Sequence, residues 1–140
     1  MDNTIDIASV GGMYAGKITL VANDTDAGIK NFGNINASGS GITLASDGKL
    51  AQHGRLAAQK GSVSITAGGD IYNSQQILAG TDLQLQTKGD LLSTGTIGSE
   101  TGIINLTAAR DFTQTGSVRL EKGALNINVG SDLYQYGNIS

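Results

Sequence analysis

The sequence contains no cysteine, no proline and no tryptophan, and only 4% of its 140 residues are aromatic. Without cysteine there can be neither a disulfide framework nor a thiolate metal site. So few aromatic side chains exclude a conventional globular core built on Phe, Trp and Leu clusters. No field of positive charge exists either. The nine Lys and Arg are scattered, and twelve Asp and Glu leave a formal net charge of −3. Nucleic acid and anionic lipid are therefore not expected as partners. No apolar stretch approaches the ~20 residues of a membrane helix, so membrane insertion is not expected. Residues 1–15 lack the positive n-region and apolar h-region of a signal peptide, with Asp2 and Asp6 in their place. If the protein is secreted, its export signal is absent from this sequence.

What the chain does have is 21 glycines and single Ile, Leu, Val and Ala residues separated by polar ones. That is a strand-forming composition punctuated by turns. A repeat runs through it. Ile29, Leu50, Ile71, Leu91, Phe112 and Leu133 lead successive units, separated by 21, 21, 20, 21 and 21 residues. Six residues after each leader comes a second series: Ile35, Leu56, Ile77, Ile97, Val118 and Ile139. A third series is Ile42, Val63, Leu83, Ile104 and Leu125. A fourth, two residues further on, is Leu44, Ile65, Leu85, Leu106 and Ile127. Four registers kept over this length identify a repeat architecture.

Glycine follows the same frame. Gly33, Gly54, Gly95, Gly116 and Gly137 stand four residues after a leader, with Gln75 in the remaining unit. A second turn carries Gly41, Gly61, Gly80, Gly102 and Gly123. Where such turns need φ > 0, Gly adopts it at little steric cost. Within a unit the apolar residues alternate with polar ones, as in Val63-Ser64-Ile65-Thr66-Ala67, which marks a half-buried strand. No window shows helical spacing over several turns. The pattern predicts an all-β right-handed parallel β-helix, a solenoid with coils of about 21 residues. A lone coil cannot offset the entropy of ordering itself, so stability must come from stacking. Residues 1–28 read as an irregular first coil. Ile5, Ile18 and Leu20 precede Ile29, Ile42 and Leu44 by 24 residues, which puts three extra residues around 23–26. Residues 29–140 continue from it as repeats of one domain, without a linker.

Candidate sites are few. Asp70, Asp90, Asp111 and Asp132 recur just before successive leaders and read as turn residues whose carboxylates accept local backbone N–H groups. Asn31, Gln52, Asn73, Ser93, Gln114 and Gln135 fall two residues after the leaders, where stacked amides can bond along the axis. His53 is the only histidine, and no Ser and carboxylate form a triad-like pattern around it. Tyr72 and Tyr134 share a column but lie three coils apart. No catalytic residue, no cofactor and no metal site is expected, and the chain reads as no enzyme.

Gly61–Ile71 (GSVSITAGGDI) and Leu91–Ile97 (LLSTGTI) resemble the filamentous haemagglutinin repeat of bacterial two-partner secretion exoproteins. Gly11–Leu20 (GGMYAGKITL) is similar to the segment that follows the secretion domain in that family. The resemblance implies a structural or adhesive β-helical shaft, exported through an outer-membrane transporter partner and secreted or held at the bacterial cell surface. It implies host or neighbouring-cell receptors or glycans as partners, and either an adhesin or the shaft of a contact-dependent growth-inhibition toxin. A polysaccharide-binding or -cleaving β-helix is the further alternative. Four Asn-x-Ser/Thr sequons, at Asn23, Asn36, Asn105 and Asn138, are candidate glycosylation sites. Ile65→Asp, which puts a charge inside a coil, is expected to abolish folding; a variant with an unchanged thermal transition contradicts the register.

Overall fold

The computed structural model describes residues 5–7, 13–22, 28–31 and 33–139. Among them there is no helix, and every strand pairing is parallel. The architecture is the parallel β-solenoid that the 21-residue period predicts. Each regular winding contributes three short strands, so the rod has three faces.

The first face is a seven-stranded sheet in sequence order: Ile5–Ile7, Ile29–Asn31, Leu50–Gln52, Ile71–Asn73, Leu91–Ser93, Phe112–Gln114 and Leu133–Gln135. Each regular strand has three residues, with the leader and the amide inside and the residue between them outside. The other two faces form one eleven-stranded sheet, joined through long strands that turn a corner. Asn34–Ser46 is such a strand: its first part pairs with Arg55–Ala58 and its second with Ser62–Ala67. The second face then runs through Gln76–Ala79, Thr96–Ser99, Ser117–Leu120 and Asn138–Ile139. The third runs through Leu83–Thr87, Ile104–Ala108 and Leu125–Val129.

Register explains the one short repeat. Ala79 pairs with Ala58, 21 residues away, but Leu83 pairs with Val63, 20 away. The missing residue therefore belongs to the corner between Ala79 and Leu83. In the first winding, Ala22 pairs with Ser46 while Ile29 pairs with Leu50. The separation falls from 24 to 21 residues, so three extra residues lie between Ala22 and Ile29. Residues 23–27 themselves lie outside the described residues. A second irregularity was not legible in the sequence. Between Ala15/Ala37 and Lys17/Gly41 the register shifts, leaving Gly16 alone against residues 38–40.

The core consists of stacked columns. Ile29, Leu50, Ile71, Leu91 and Phe112 are buried, as are Ile35, Leu56, Ile77, Ile97 and Val118. Ile42, Val63, Leu83 and Ile104, and beside them Leu44, Ile65, Leu85 and Leu106, complete it. Leu133 is 48% exposed and Ile139 46%. They sit in the last described winding, with a neighbour on one side only, so half of their apolar contact is missing. Leu125 and Ile127 are half-buried for the same reason. Two buried columns of small residues escaped the sequence reading: Ala37, Ala58, Ala79 and Ser99, and Ser46, Ala67, Thr87 and Ala108. They stand two residues beyond the second and fourth series, and the same columns continue with the half-buried Leu120 and Val129.

The glycines serve chiefly for close approach rather than for unusual torsions. Among the described residues only Gly41 (φ 133°) and Gly123 (φ 128°) have positive φ. In the first glycine column, a Cβ on Gly54, Gly95, Gly116 or Gly137 would overlap the carbonyl oxygen one winding earlier. Gly116→Ala, with rigid backbone on that side, should cost about 1–3 kcal/mol. Gly16→Ala, with nothing within 4 Å of its Cβ, should stay within about 0.5 kcal/mol of wild type. Denaturant titration of both variants checks the pair; equal stabilities contradict the close-approach account.

Candidate functional site

The side chains that could do more than pack lie in columns, because each strand places a given repeat position directly over its equivalent. The innermost such column is the amide stack. Asn31, Gln52, Asn73, Ser93 and Gln114 are all buried. Asn31 Nδ2 donates to Gln52 Oε1 at 2.7 Å, and Asn73 Nδ2 donates to Ser93 Oγ at 3.3 Å. Gln52 Nε2 is spent instead on the carbonyls of Gly54 and Gln76. The expected ladder therefore exists only in part: unequal side-chain lengths prevent a continuous chain of amides. Gln114 is the exception to satisfaction, since neither its Oε1 nor its Nε2 has a partner, and Asn73 Oδ1 also has none.

The Asp column differs from its sequence reading. The carboxylates do not bond within their own turns but span windings. Asp70 Oδ1 accepts the Asp90 N–H at 2.8 Å, Asp90 Oδ1 accepts that of Asp111 at 3.1 Å, and Asp111 Oδ1 accepts that of Asp132 at 3.1 Å. The main-chain carbonyls of Asp70, Asp90, Asp111 and Asp132 meanwhile accept the N–H groups of Leu50, Ile71, Leu91 and Phe112. Asp70, Asp90 and Asp111 thus each clamp the winding before and the winding after. Asp82 does the same at another corner, accepting the Ile103 N–H at 2.8 Å. Where the column ends, Asp132 Oδ2 accepts from the Tyr134 hydroxyl, and its negative charge raises the phenol above its ordinary range.

Alongside the Asp column runs an open groove of about 410 Å³, between Lys49, Asp70, Asp90 and Asp111 on one side and Tyr72, Leu92 and Thr113 on the other. His53 lies near it. Its Nδ1 is 2.8 Å from Ser74 Oγ, one winding on, and its ring meets Tyr72 edge-on at 5.1 Å between centroids. Ser74 stands 21 residues after His53, and the stacking of windings brings the two into contact. A second hollow of about 250 Å³ lies on the second face, floored by Ala57, Leu78 and Gly98 between Arg55, Arg119 and Glu100. Among the described residues no group of three or more His, Cys, Asp or Glu is placed to hold a metal ion. Of the sequons, Asn36 and Asn105 are half-buried within strands and Asn138 is exposed; Asn23 lies outside the described residues.

With that geometry in place, similarity to known proteins narrows the reading. The chain is 42% identical over 65 residues to "Toxin CdiA" of Yersinia pestis, covering 46% of this chain and 2% of that protein. It is 35% identical over 109 residues to "16S rRNA endonuclease CdiA" of Enterobacter cloacae, covering 65% of this chain and 3% of that protein. It is 33% identical over 97 residues to "tRNA nuclease CdiA" of Escherichia coli, covering 69% and 3%. These relatives are contact-dependent inhibition proteins. The chain spans about 2–4% of the length of the curated relatives it matches. No protein-family model matches the chain, and no solved structure does.

One expectation is overturned here. The chain was expected to be no enzyme, yet relatives carry the names rRNA endonuclease and tRNA nuclease. The physical reason for the misreading is plain. A repeat of stacked apolar columns reports how a rod is built and carries no information about the chemistry of the proteins in which it occurs.

The amide stack gives a test of its own. Gln52→Met leaves the Asn31 amide and the Gly54 and Gln76 carbonyls short of a partner, and should cost about 1–3 kcal/mol. Gln114→Met, which removes an amide with no partner, should be neutral or stabilising. Melting temperatures of the two variants that fall together contradict this assignment.

Proposed function

We propose that this chain is a stretch of the β-helical shaft of a contact-dependent growth-inhibition exoprotein, secreted or displayed at the bacterial surface. The observation that carries the reading is the 42% identity to a CdiA toxin over nearly half of the chain. The geometry is suited to the task. A rod gains a constant rise of ~4.8 Å per winding, and its stability is shared between neighbouring windings, so length can be added without redesigning the core.

On this reading the shaft holds a toxic nuclease away from the producing cell and toward a neighbour, whose surface receptor or glycan is the partner. Export runs through an outer-membrane transporter. Nuclease action on rRNA or tRNA then belongs to the protein's function, as the names of the relatives suggest. An adhesin or haemagglutinin role would use the same rod, but the named relatives favour the toxin.

A shaft works by length, so it should tolerate loss of a whole winding and not of part of one. Deleting residues 71–90 from the full-length protein joins Asp70 to Leu91 and keeps every column in register. Deleting residues 71–80 breaks them all. In a co-culture competition assay the first deletion should inhibit neighbouring cells nearly as well as wild type, and the second should not. If the register-preserving deletion is exported and folded yet inactive, this winding carries a specific binding role and the shaft reading fails.

A further inference from the structure

The third face is unlike the other two. Its two outward columns, from Thr19 to Asn126 and from Val21 to Asn128, hold no charged residue, and charge enters only at the adjoining columns, where Lys17 and Asp82 share a register with Gly41 and Ser62. By contrast, the first face carries Lys30 and is bordered by the Asp column, and the second carries Arg55 and Arg119. Outward positions on the third face hold hydroxyls and amides in two columns, one through Ser64, Gln84 and Asn105, the other through Thr66, Gln86 and Thr107. Some of these amides are already ordered against each other. Asn126 Nδ2 donates to Asn105 Oδ1 at 3.0 Å along the axis, and Gln84 Nε2 to Gln86 Oε1 at 3.3 Å along the strand.

We propose that these uncharged outward columns are a lateral interface with a second copy of the same chain. Three properties select that occupant. Hydroxyl and amide groups each donate and accept, so a face made only of them can meet itself without leaving an unpaired group. Columns of carboxylate or ammonium cannot do so. Uncharged columns meet their own copy without like-charge repulsion at the contact. Most selective is the spacing: side chains recur at ~4.8 Å along the axis, and a second parallel solenoid shares that rise, so interdigitation stays in step over any length. Other partners fit less well. The two outward columns offer no cations for nucleic acid or anionic lipid. It also lacks the aromatic or Arg anchors that concentrate binding energy in most protein interfaces, Val21 being its one exposed large apolar side chain.

Size sets the strength. A strand of five residues is ~16 Å wide and six windings are ~29 Å long, so two copies bury roughly 900 Å² in total. That is below the ~1,200 Å² of stable complexes. The 140-residue chain should therefore pair weakly, and affinity should rise with every winding added.

Sedimentation velocity of this chain from low micromolar to millimolar concentration tests the proposal. Wild type should show a concentration-dependent shift from monomer to dimer. The nearly isosteric triple variant Gln84→Glu, Gln86→Glu, Asn128→Asp should lose it while keeping its β-sheet circular dichroism. Thr66→Arg alone, should the triple variant not fold, should weaken pairing at least tenfold. Tyr72→Ala, on the first face, should leave pairing unchanged. A wild-type protein that stays monomeric at millimolar concentration overturns the proposal. So does dimerisation that survives both third-face variants, or that is abolished by Leu133→Lys in the last described winding; either result puts the contact elsewhere.

Discussion

The structure depends on one constraint: each strand pairs in parallel with its equivalent one winding away, so that like stacks on like. Every column follows from it. Leaders meet leaders, glycines meet glycines, and the Asp carboxylate reaches the backbone of the next Asp because the next Asp lies directly above. No side chain in such a rod acts alone. An apolar residue such as Ile65 is buried by its equivalents before and after it together with the other columns of its own winding. The same constraint makes the solenoid tolerant at its outward positions and intolerant inside. His53, Ser74 and Thr94 occupy one outward column, whereas the second interior series varies only between Ile, Leu and Val.

The architecture was legible because the repeat and the strand alternation reinforce each other. Four apolar registers, each one residue in and the next out, leave little choice but stacked parallel strands, and the structure places their interior members from Ile29 to Val118 in the core. What was not legible depends on contact rather than on period. The Asp residues signal a turn equally well whether they bond within it or across windings; only the inter-winding N–H to Oδ1 distances separate the two. Ala37, Ala58 and Ala79 were not legible because alanine is a weak marker of burial, yet all three are buried. The amide stack was visible as a column. Its breaks were not, since they arise from Asn, Gln and Ser reaching different distances. The shortened corner at Gly16 was equally invisible, because Met13 and Lys17 lack a motif to set their register.

Function was less legible than fold, and for a physical reason. The repeat encodes a β-helical rod, and the stacking that builds a rod is indifferent to what is joined to it. The expectation of no enzyme is overturned by relatives that carry the names rRNA endonuclease and tRNA nuclease. The outer faces hold whatever specificity the segment itself has. One presents an acidic groove beside Tyr72, one a hollow between arginines, and one a neutral polar surface. That division of charge among three sides of one rod is the feature that stacking alone does not require.

The account is tested most directly by paired cysteines on the first face of this cysteine-free chain. Leu92 and Thr113 are register partners one winding apart, and Tyr72 lies one winding further from Thr113. Neighbouring strands about 4.8 Å apart are within the span of a disulfide, and strands two windings apart are beyond it. Under mild oxidation Leu92→Cys with Thr113→Cys should close intramolecularly without loss of stability, while Tyr72→Cys with Thr113→Cys should remain reduced. Closure of the second pair in preference to the first would contradict the stacking on which the whole description rests.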